Sequence, residues 1–199
     1  MSIRLSKNFT LEELEHSNMA NRHDIDNSLP DNEYEMAKKI ATKILQPLRN
    51  VSGPIQITSG YRSHALNIIV KGVSSSQHVY SNSRGAACDI VSLRGLHTTI
   101  ELVQKIIDLN LPYDQMILEY PESNTGGWVH VSCAGEEKVP RKELLVKCKG
   151  KGYERININN EYGIQIYSSS YLDELSEAGK KGAEAGTHLR GIINKCRQV

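Results

Sequence analysis

Two segments of the chain can place a histidine and a carboxylate where they act together. Residues 116–120 (Met-Ile-Leu-Glu-Tyr) and residues 128–132 (Trp-Val-His-Val-Ser) each have the character of a β-strand. If they form a hairpin that turns near residue 124, Glu119 lies directly opposite His130. Directly opposed residues share one face of a hairpin, with Cβ atoms about 5 Å apart. The hairpin therefore predicts an imidazole and a carboxylate side by side on a polar face.

Two further residues, His78 and Asp89, complete a set with the chemistry of a catalytic zinc site. Such a site uses three protein ligands and leaves a position for water. It also needs a nearby carboxylate that accepts a proton from that water. The sequence has no HExxH motif and no clustered cysteines, so the spacing alone indicates a metal site without fixing its ligands.

The elements that must position these residues are short helices and strands. Thr10 and Glu13 predict a capping box at the start of a first helix. An apolar stripe predicts a longer helix from about Glu33 to Arg49. Apolar alternation predicts a strand over residues 54–58, another that ends near Val91, and a small hairpin within residues 156–167.

The composition excludes several classes of function. The chain has 199 residues, 39% hydrophobic and 24% charged, which suits about one domain with an appendage. Its formal net charge of +1 gives no bias toward nucleic acid or an anionic membrane surface. No apolar run approaches the roughly 18 residues of a membrane-spanning helix. We therefore expect no nucleic-acid partner and no membrane insertion.

The start of the chain and its cysteines point to a reducing compartment. The first residues are polar and acidic, unlike a secretory signal peptide. The four cysteines form no CxxC pair, and a chain of this size needs no disulfide to fold. We therefore expect four free thiols.

Six short segments occur in one order between about Ser6 and Arg155. They are Phe9-Thr10-Leu11, Ser59-Gly60-Tyr61-Arg62, Ser76-Gln77-His78, Gly85-Ala86-Ala87-Cys88-Asp89-Ile90, Asp114-Gln115 and Trp128-Val129-His130-Val131-Ser132. Together they resemble the zinc D-Ala-D-Ala carboxypeptidase-like peptidases, a family that includes bacteriophage L-alanyl-D-glutamate endolysins. Any one segment alone is a weak signal, but six in order are specific.

The resemblance implies a fold, a cofactor and three ligands. The fold is the α+β hedgehog/D,D-peptidase type, with a small antiparallel sheet and flanking helices. The cofactor is Zn²⁺, held by His78, Asp89 and His130.

The resemblance also implies that Arg62 is a catalytic and substrate-binding group. The guanidinium fork suits a carboxylate or a developing oxyanion, and a structural ion pair is the alternative. Gln77 and Trp128 are the other substrate-binding candidates. For Gln77 the alternative is orientation of a metal ligand, and for Trp128 it is ordinary core packing.

Two departures from the family pattern leave alternatives open. Ten residues separate His78 from Asp89 where the family usually has six, so His64 is an alternative ligand. Some branches place an acidic residue three positions before the last histidine, where this chain has Gly127. The hairpin instead makes Glu119 the catalytic base, and Glu122 is the second candidate.

These observations predict a zinc peptidase domain over residues 1–155 and a C-terminal extension of unknown role over residues 156–199. The expected reaction is hydrolysis of a peptide bond in peptidoglycan stem peptides, by a phage endolysin or a virion-associated lysin. The protein would stay in the host cytoplasm until lysis, or join the virion through its extension. The alternatives are a non-catalytic wall-binding or structural protein and a D,D-carboxypeptidase of cell-wall maturation.

Overall fold

The fold is built on one six-stranded sheet. A computed structural model describes residues 2–123, 126–159 and 163–165 of the protein, with side chains as far as Ile156. The strands in chain order are β1 (Ile55–Ser59), β2 (Ala86–Ser92), β3 (Tyr113–Glu119), β4 (Trp128–Cys133), β5 (Glu143–Lys147) and β6 (Tyr153–Arg155). A separate hairpin contains β7 (Asn157–Asn159) and β8 (Gly163–Gln165), as the sequence predicts.

The strand order across the sheet is β1-β2-β4-β3-β5-β6. Every neighbouring pair is antiparallel except β3 and β5, which are parallel. The α+β class is therefore confirmed. The expectation of a small antiparallel sheet is wrong, because β5 and β6 extend the sheet and β5 joins it in the parallel direction.

The helices are short, and most of them precede β2. In chain order they are α1 (Leu11–Glu15), α2 (Asn18–Arg22), α3 (Tyr34–Ile40), α4 (Gln46–Ser52), α5 (His64–Ile69) and α6 (Thr99–Asp108). The predicted capping box of Thr10 and Glu13 is present at α1. The predicted long helix is also present, with a π-helical turn at Ala41–Leu45 between α3 and α4. Pro47 follows this turn and has no N–H to continue the regular ladder, which accounts for the interruption.

The two faces of the sheet have different partners because side chains alternate along each strand. One face packs on α3, α4 and α6 and forms the hydrophobic core. The core residues of the four central strands are Ala86, Cys88, Ile90, Tyr113, Met116, Leu118, Val129, Val131, Cys133, Leu144 and Val146. The alternate residues point to the opposite face, called here the catalytic face, where the predicted site residues of β2, β3 and β4 lie.

The N-terminal helices hold the turn that follows β1. The backbone N–H of Tyr61 donates to the carbonyl of Leu14 at 2.7 Å. The buried Asn27 amide donates to the carbonyls of Glu15 at 2.7 Å and Tyr61 at 3.0 Å, and its oxygen accepts from the N–H of Ser63 at 2.7 Å. The backbone around Arg62 is therefore fixed from the N-terminal side.

The cysteines differ from the expectation. Cys88 and Cys133 are buried free thiols, but Cys148 is disulfide-bonded, so the expectation of four free thiols is wrong.

Ile156 is buried in the core, and most of the predicted extension lies outside the described residues. Within the described part, no helix has the length and apolarity to cross a bilayer.

A substitution at Gly60 tests the contact between α1 and the turn after β1. A Cβ on Gly60 would lie 2.4 Å from the carbonyl oxygen of Leu14, so Gly60→Ala must displace backbone. We expect a loss of about 1–3 kcal/mol in unfolding free energy, the usual cost of overpacking, measured by urea denaturation. Gly152→Ala is the matched control, because nothing lies within 4 Å of its added Cβ. Equal stability of the two variants would contradict this account.

Candidate metal centre

The centre is built on a row of residues that crosses four strands. Ser59 of β1 pairs with Asp89 of β2, Asp89 pairs with His130 of β4, and His130 pairs with Ile117 of β3. A bulge between Ile57 and Ser59 shifts the end of β1. Directly paired residues share a face, so Asp89 and His130 project from the catalytic face as neighbours.

His78 reaches the same point from the segment between α5 and β2. Its carbonyl accepts from the backbone N–H of Arg62 at 2.9 Å. Its Nδ1 donates to the carbonyl of Gly60 at 2.7 Å. A histidine that donates through Nδ1 keeps the lone pair of Nε2 for a ligand, so this hydrogen bond fixes the useful tautomer.

Three ligand atoms converge at the site. The distances are 3.2 Å between His78 Nε2 and His130 Nδ1, 3.2 Å between His78 Nε2 and Asp89 Oδ1, and 3.0 Å between His130 Nδ1 and Asp89 Oδ1. His78 is 3% exposed, and Asp89 and His130 are each 7% exposed. Ligands about 2.0–2.1 Å from a tetrahedral zinc lie about 3.3 Å from one another, so the triangle fits this metal.

The chemistry of the donor set also calls for a cation. His78 Nε2 presents a lone pair, and the oxygen of Asp89 is an acceptor. Burial of such acceptors is costly unless a proton or a metal neutralises them. Among the described residues, these three form the one group of histidine, cysteine and carboxylate side chains with the geometry of a metal site.

Arg62 holds the other oxygen of Asp89. Its Nη2 donates to Asp89 Oδ2 at 3.2 Å, and Nε and Nη2 both donate to the hydroxyl of Ser59. Burial alone would raise the pKa of Asp89. The electrostatic interactions and hydrogen bonds of Asp89 with His78 and His130 outweigh that effect and hold the pKa of Asp89 well below its ordinary value. Asp89 is therefore ionised, with Oδ1 directed at the metal position and Oδ2 at Arg62.

The long gap between His78 and Asp89 does not disturb the ligands. Its extra residues form a tight turn closed by a bridge between Ser81 and Gly85. Arg84 fastens this turn through hydrogen bonds to the hydroxyl of Ser81 and the carbonyl of Ser74. His64, the alternative ligand, is exposed at the start of α5 and does not belong to the group of converging ligand atoms.

The hairpin of β3 and β4 is present, but the predicted register is wrong by two residues. Glu119 pairs with Trp128, and Ile117 is the residue opposite His130. The prediction placed ten residues between Glu119 and its partner, whereas the observed pairing places eight, residues 120–127, between Glu119 and Trp128. A shift of two residues preserves the face, so Glu119 still lies on the catalytic face, one step along the strand from the row of metal ligands.

Glu119 has the environment of a proton acceptor. Burial and the charge of Asp89 raise its pKa, while His130, Arg62 and Trp128 lower it by smaller amounts, so the net change is upward. The indole Nε1 of Trp128 is buried and has no hydrogen bond of normal geometry within the described residues. The ring of Tyr120 packs against Trp128 with centroids 5.3 Å apart. Trp128 is thus paired with the candidate base across the hairpin, at the end of β4 next to the loop.

Gly127 is a position that admits no side chain. It has a φ of +63°, and a Cβ there would lie 1.9 Å from the carbonyl oxygen of Glu119. The close approach of the backbones at the end of the hairpin therefore requires glycine. A carboxylate at this position is incompatible with the hairpin that positions Glu119. Glu122 instead accepts a hydrogen bond from the backbone N–H of Lys149 at 2.7 Å.

Gln77 lies in a polar network next to the metal ligands. Its amide donates to Asp114 at 2.9 Å and to the carbonyl of Arg84 at 2.7 Å, and it accepts from Arg141 at 3.4 Å. Arg141 binds both carboxylate oxygens of Asp114. These bonds fix the segment that carries His78. The substrate-binding role of Gln77 stays a prediction.

Sequence reasoning did not find three residues that contribute to this region. Asn27 clamps the turn of Arg62, but it belongs to a polar loop with no periodic pattern. Tyr153 and Lys147 extend the catalytic face through β5 and β6. The alternation of residues 143–147 is the signal that could have placed Lys147 on that face.

The fold and the site together define a single-metal centre of two histidines and one aspartate with an adjacent glutamate. The chain matches the family model described as Peptidase M15 over residues 7–132. This match covers more than half of the chain, and the chain belongs to the peptidase M15 family. Peptidases of this family are zinc-dependent, in agreement with the buried group of His78, Asp89 and His130. A comparison with curated proteins finds no match.

Metal content tests the ligand set. Wild-type protein from zinc-supplemented medium should contain one zinc per chain by plasma emission. His78→Ala and His130→Ala should each lose it, because two remaining protein ligands do not complete a zinc site. His64→Ala is the control and should keep it. Loss of zinc from His64→Ala alone would overturn the assignment.

Substitution of Gly127 tests whether this chain can carry the acidic residue that some branches of the family have three positions before the last histidine. Gly127→Glu should lower the unfolding free energy by a few kcal/mol, since both the positive φ and the contact with the Glu119 carbonyl oppose it. It should not restore turnover when combined with Glu119→Gln. Gly126→Ala is a control for the positive φ alone, because its added Cβ meets nothing within 4 Å. A stable double variant that hydrolyses substrate would contradict this interpretation.

Proposed function

We propose that the protein is a zinc-dependent hydrolase that cleaves a peptide bond in bacterial peptidoglycan stem peptides. The observation that carries the proposal is the convergence of His78, Asp89 and His130 on one point, with Glu119 on the same face. The peptidase family supports the reaction class. The peptidoglycan substrate rests on the resemblance of the ordered motifs to wall-degrading members of the family.

The residues divide the chemistry between them. Zinc, held by His78, Asp89 and His130, would act as a Lewis acid and make a nearby water more acidic. Glu119 accepts the proton of the attacking water and delivers it to the amine that leaves. Its raised pKa brings it closer to neutral pH, where one group can both accept and donate a proton.

Arg62 is suited to two tasks. Its Nη2 and Nε already bind Asp89 and Ser59, so the guanidinium orients a metal ligand. No hydrogen bond within the described residues occupies Nη1. This free donor would bind the substrate carbonyl oxygen as it gains negative charge, which is the transition-state role that the resemblance implies.

The biological setting that we propose is lysis of a bacterium by a phage. The protein would act on peptidoglycan as an endolysin held in the host cytoplasm before lysis, or as a lysin carried by the virion. The non-catalytic alternative drew on the long gap before Asp89 and on Gly127. Because a tight turn absorbs the gap and the Gly127 site requires glycine, neither feature now favours it.

Glu119→Gln tests the base directly. The substitution keeps size and hydrogen bonding but removes the proton acceptor, so turnover of purified sacculi and soluble muropeptides should fall by about 10²–10⁴-fold. Zinc content should stay unchanged, because Glu119 is not a ligand. Cleaved bonds are identified by mass spectrometry of the released fragments.

Glu122→Gln is the matched control and should leave turnover within a few-fold. Glu122 is on the neighbouring loop, where its carboxylate binds the backbone of Lys149. If only Glu122→Gln abolished turnover, the base would be on the loop. If zinc-loaded wild type hydrolysed no peptidoglycan fragment, the proposed function would be wrong.

A further inference from the structure

The catalytic face continues beyond the residues that match the family. Glu119 of β3 pairs with Lys147 of β5, and Lys147 pairs with Tyr153 of β6. Leu144 and Val146 point into the core, so Lys147 projects from the catalytic face with Glu119. This second row, Trp128-Glu119-Lys147-Tyr153, runs beside the row of metal ligands.

Lys147 is a positioned cation rather than a flexible surface lysine. Its ammonium lies 5.0 Å from the ring centroid of Tyr153 and donates to the carbonyl of Lys151. Its side chain is half-buried. A cation over an aromatic ring keeps its charge and its remaining donors for another partner.

Within the described residues, no carboxylate pairs with Lys147. The two arginines near this edge are paired with carboxylates: Arg141 with Asp114 and Glu143, and Arg155 with Glu143. Glu119 is the nearest carboxylate by register, yet it forms no ion pair with Lys147 either. Lys147 is thus an unneutralised charge beside the candidate base.

The surrounding segment has a strong positive bias. Residues 138–155 contain seven lysines and arginines and two glutamates, whereas the whole chain has a formal net charge of +1. A concentrated charge of one sign next to a cleft attracts ligands of the opposite sign. The ligand class that this edge favours is an anion.

Tyr153 is the exposed end of this second row. The side chain is 59% exposed, so a ligand can reach it. Partial burial and the charges of Glu119 and Asp89 raise the pKa of its hydroxyl. The pairing of Glu119 with Lys147 and of Lys147 with Tyr153 therefore gives a ligand one continuous surface from the metal centre to Tyr153.

We propose that Lys147, held over the ring of Tyr153, is a subsite for a free carboxylate of the substrate peptide. The proposal rests on the proposed function and names the substrate class of that same site. β4 and β5 lie two strand spacings apart, roughly 10 Å, which an extended peptide crosses in about three residues. The preferred substrate thus carries an acidic group within about three residues of the cleaved bond.

Paired substrates test the subsite. One stem peptide carries free carboxylates near the cleaved bond, and its partner carries carboxamides at the same positions. Wild type should prefer the acidic peptide by about tenfold in kcat/KM, mainly through KM, as expected for one charge-assisted hydrogen bond. Lys147→Gln should bring this ratio close to one, and Lys147→Arg should retain most of it.

Lys43→Gln is the matched control for loss of one positive charge. Lys43 is exposed on the π-helical turn, among the helices that cover the core face, and its substitution should leave both rates unchanged. Tyr153→Ala should weaken the preference, and Tyr153→Phe should keep it because the ring remains. A wild-type ratio near one, or an undiminished ratio in Lys147→Gln, would overturn the subsite.

A binding measurement separates this proposal from the proposed function. The chain has a single tryptophan, Trp128, whose fluorescence reports binding at the second row. The Glu119→Gln variant should bind the acidic peptide more tightly than the amidated one, and Glu119→Gln/Lys147→Gln should not. If the variants show this preference but wild type hydrolyses no peptide, only the proposed enzymatic function would be wrong. If wild type hydrolyses the peptides but Glu119→Gln shows no preference for the acidic one, only the proposed subsite would be wrong.

Competition with an anionic wall polymer distinguishes a substrate carboxylate from a polymer phosphate. A soluble glycerol phosphate polymer offers the same charge from a different source. If Lys147 binds a substrate carboxylate, this polymer should compete only weakly with the acidic peptide. Strong competition that disappears in Lys147→Gln would assign the subsite to a polymer phosphate and overturn the substrate-carboxylate proposal.

Discussion

The rest of the site depends on the contacts of the Asp89 carboxylate. One of its oxygens lies 3.0–3.2 Å from the ligand atoms of both histidines, and the other accepts from Arg62. A buried carboxylate is costly unless it is paired and hydrogen-bonded. The chain satisfies it from two sides with groups that also have functional tasks. Asp89 thereby links the metal position, the arginine and the middle of the sheet.

The scaffold around Asp89 keeps backbone atoms, rather than side chains alone, in place. Gly60 accepts the Nδ1 proton of His78, and its lack of a side chain lets the carbonyl of Leu14 approach the turn. The N-terminal helix, the turn after β1 and the segment of His78 are thus one connected unit. A change at the remote end of this unit would alter the direction of the His78 lone pair.

Much of this could be predicted from the sequence, and the exceptions have physical causes. The ligand types and the face of Glu119 follow from residue chemistry and from the twofold period of strands, and a two-residue error in register leaves the face unchanged. The register itself depends on the loop conformation, which short-range patterns do not encode. The requirement for glycine at Gly127 comes from a carbonyl eight residues earlier in the chain, and only the folded hairpin brings the two together. The parallel pairing of β3 with β5 is similarly a tertiary outcome.

The alternation of strand side chains also separates the chemistry from the stability of the fold. Each functional residue of β2, β3 and β4 has direct chain neighbours in the core: Cys88 and Ile90 flank Asp89, and Val129 and Val131 flank His130. The backbone positions of both ligands are therefore fixed by apolar packing on the opposite face, which does not depend on the charge state of the centre. The apolar packing of one face and the metal ligands of the other thus act on the backbone of the same strands, so metal binding adds to the stability that the core provides.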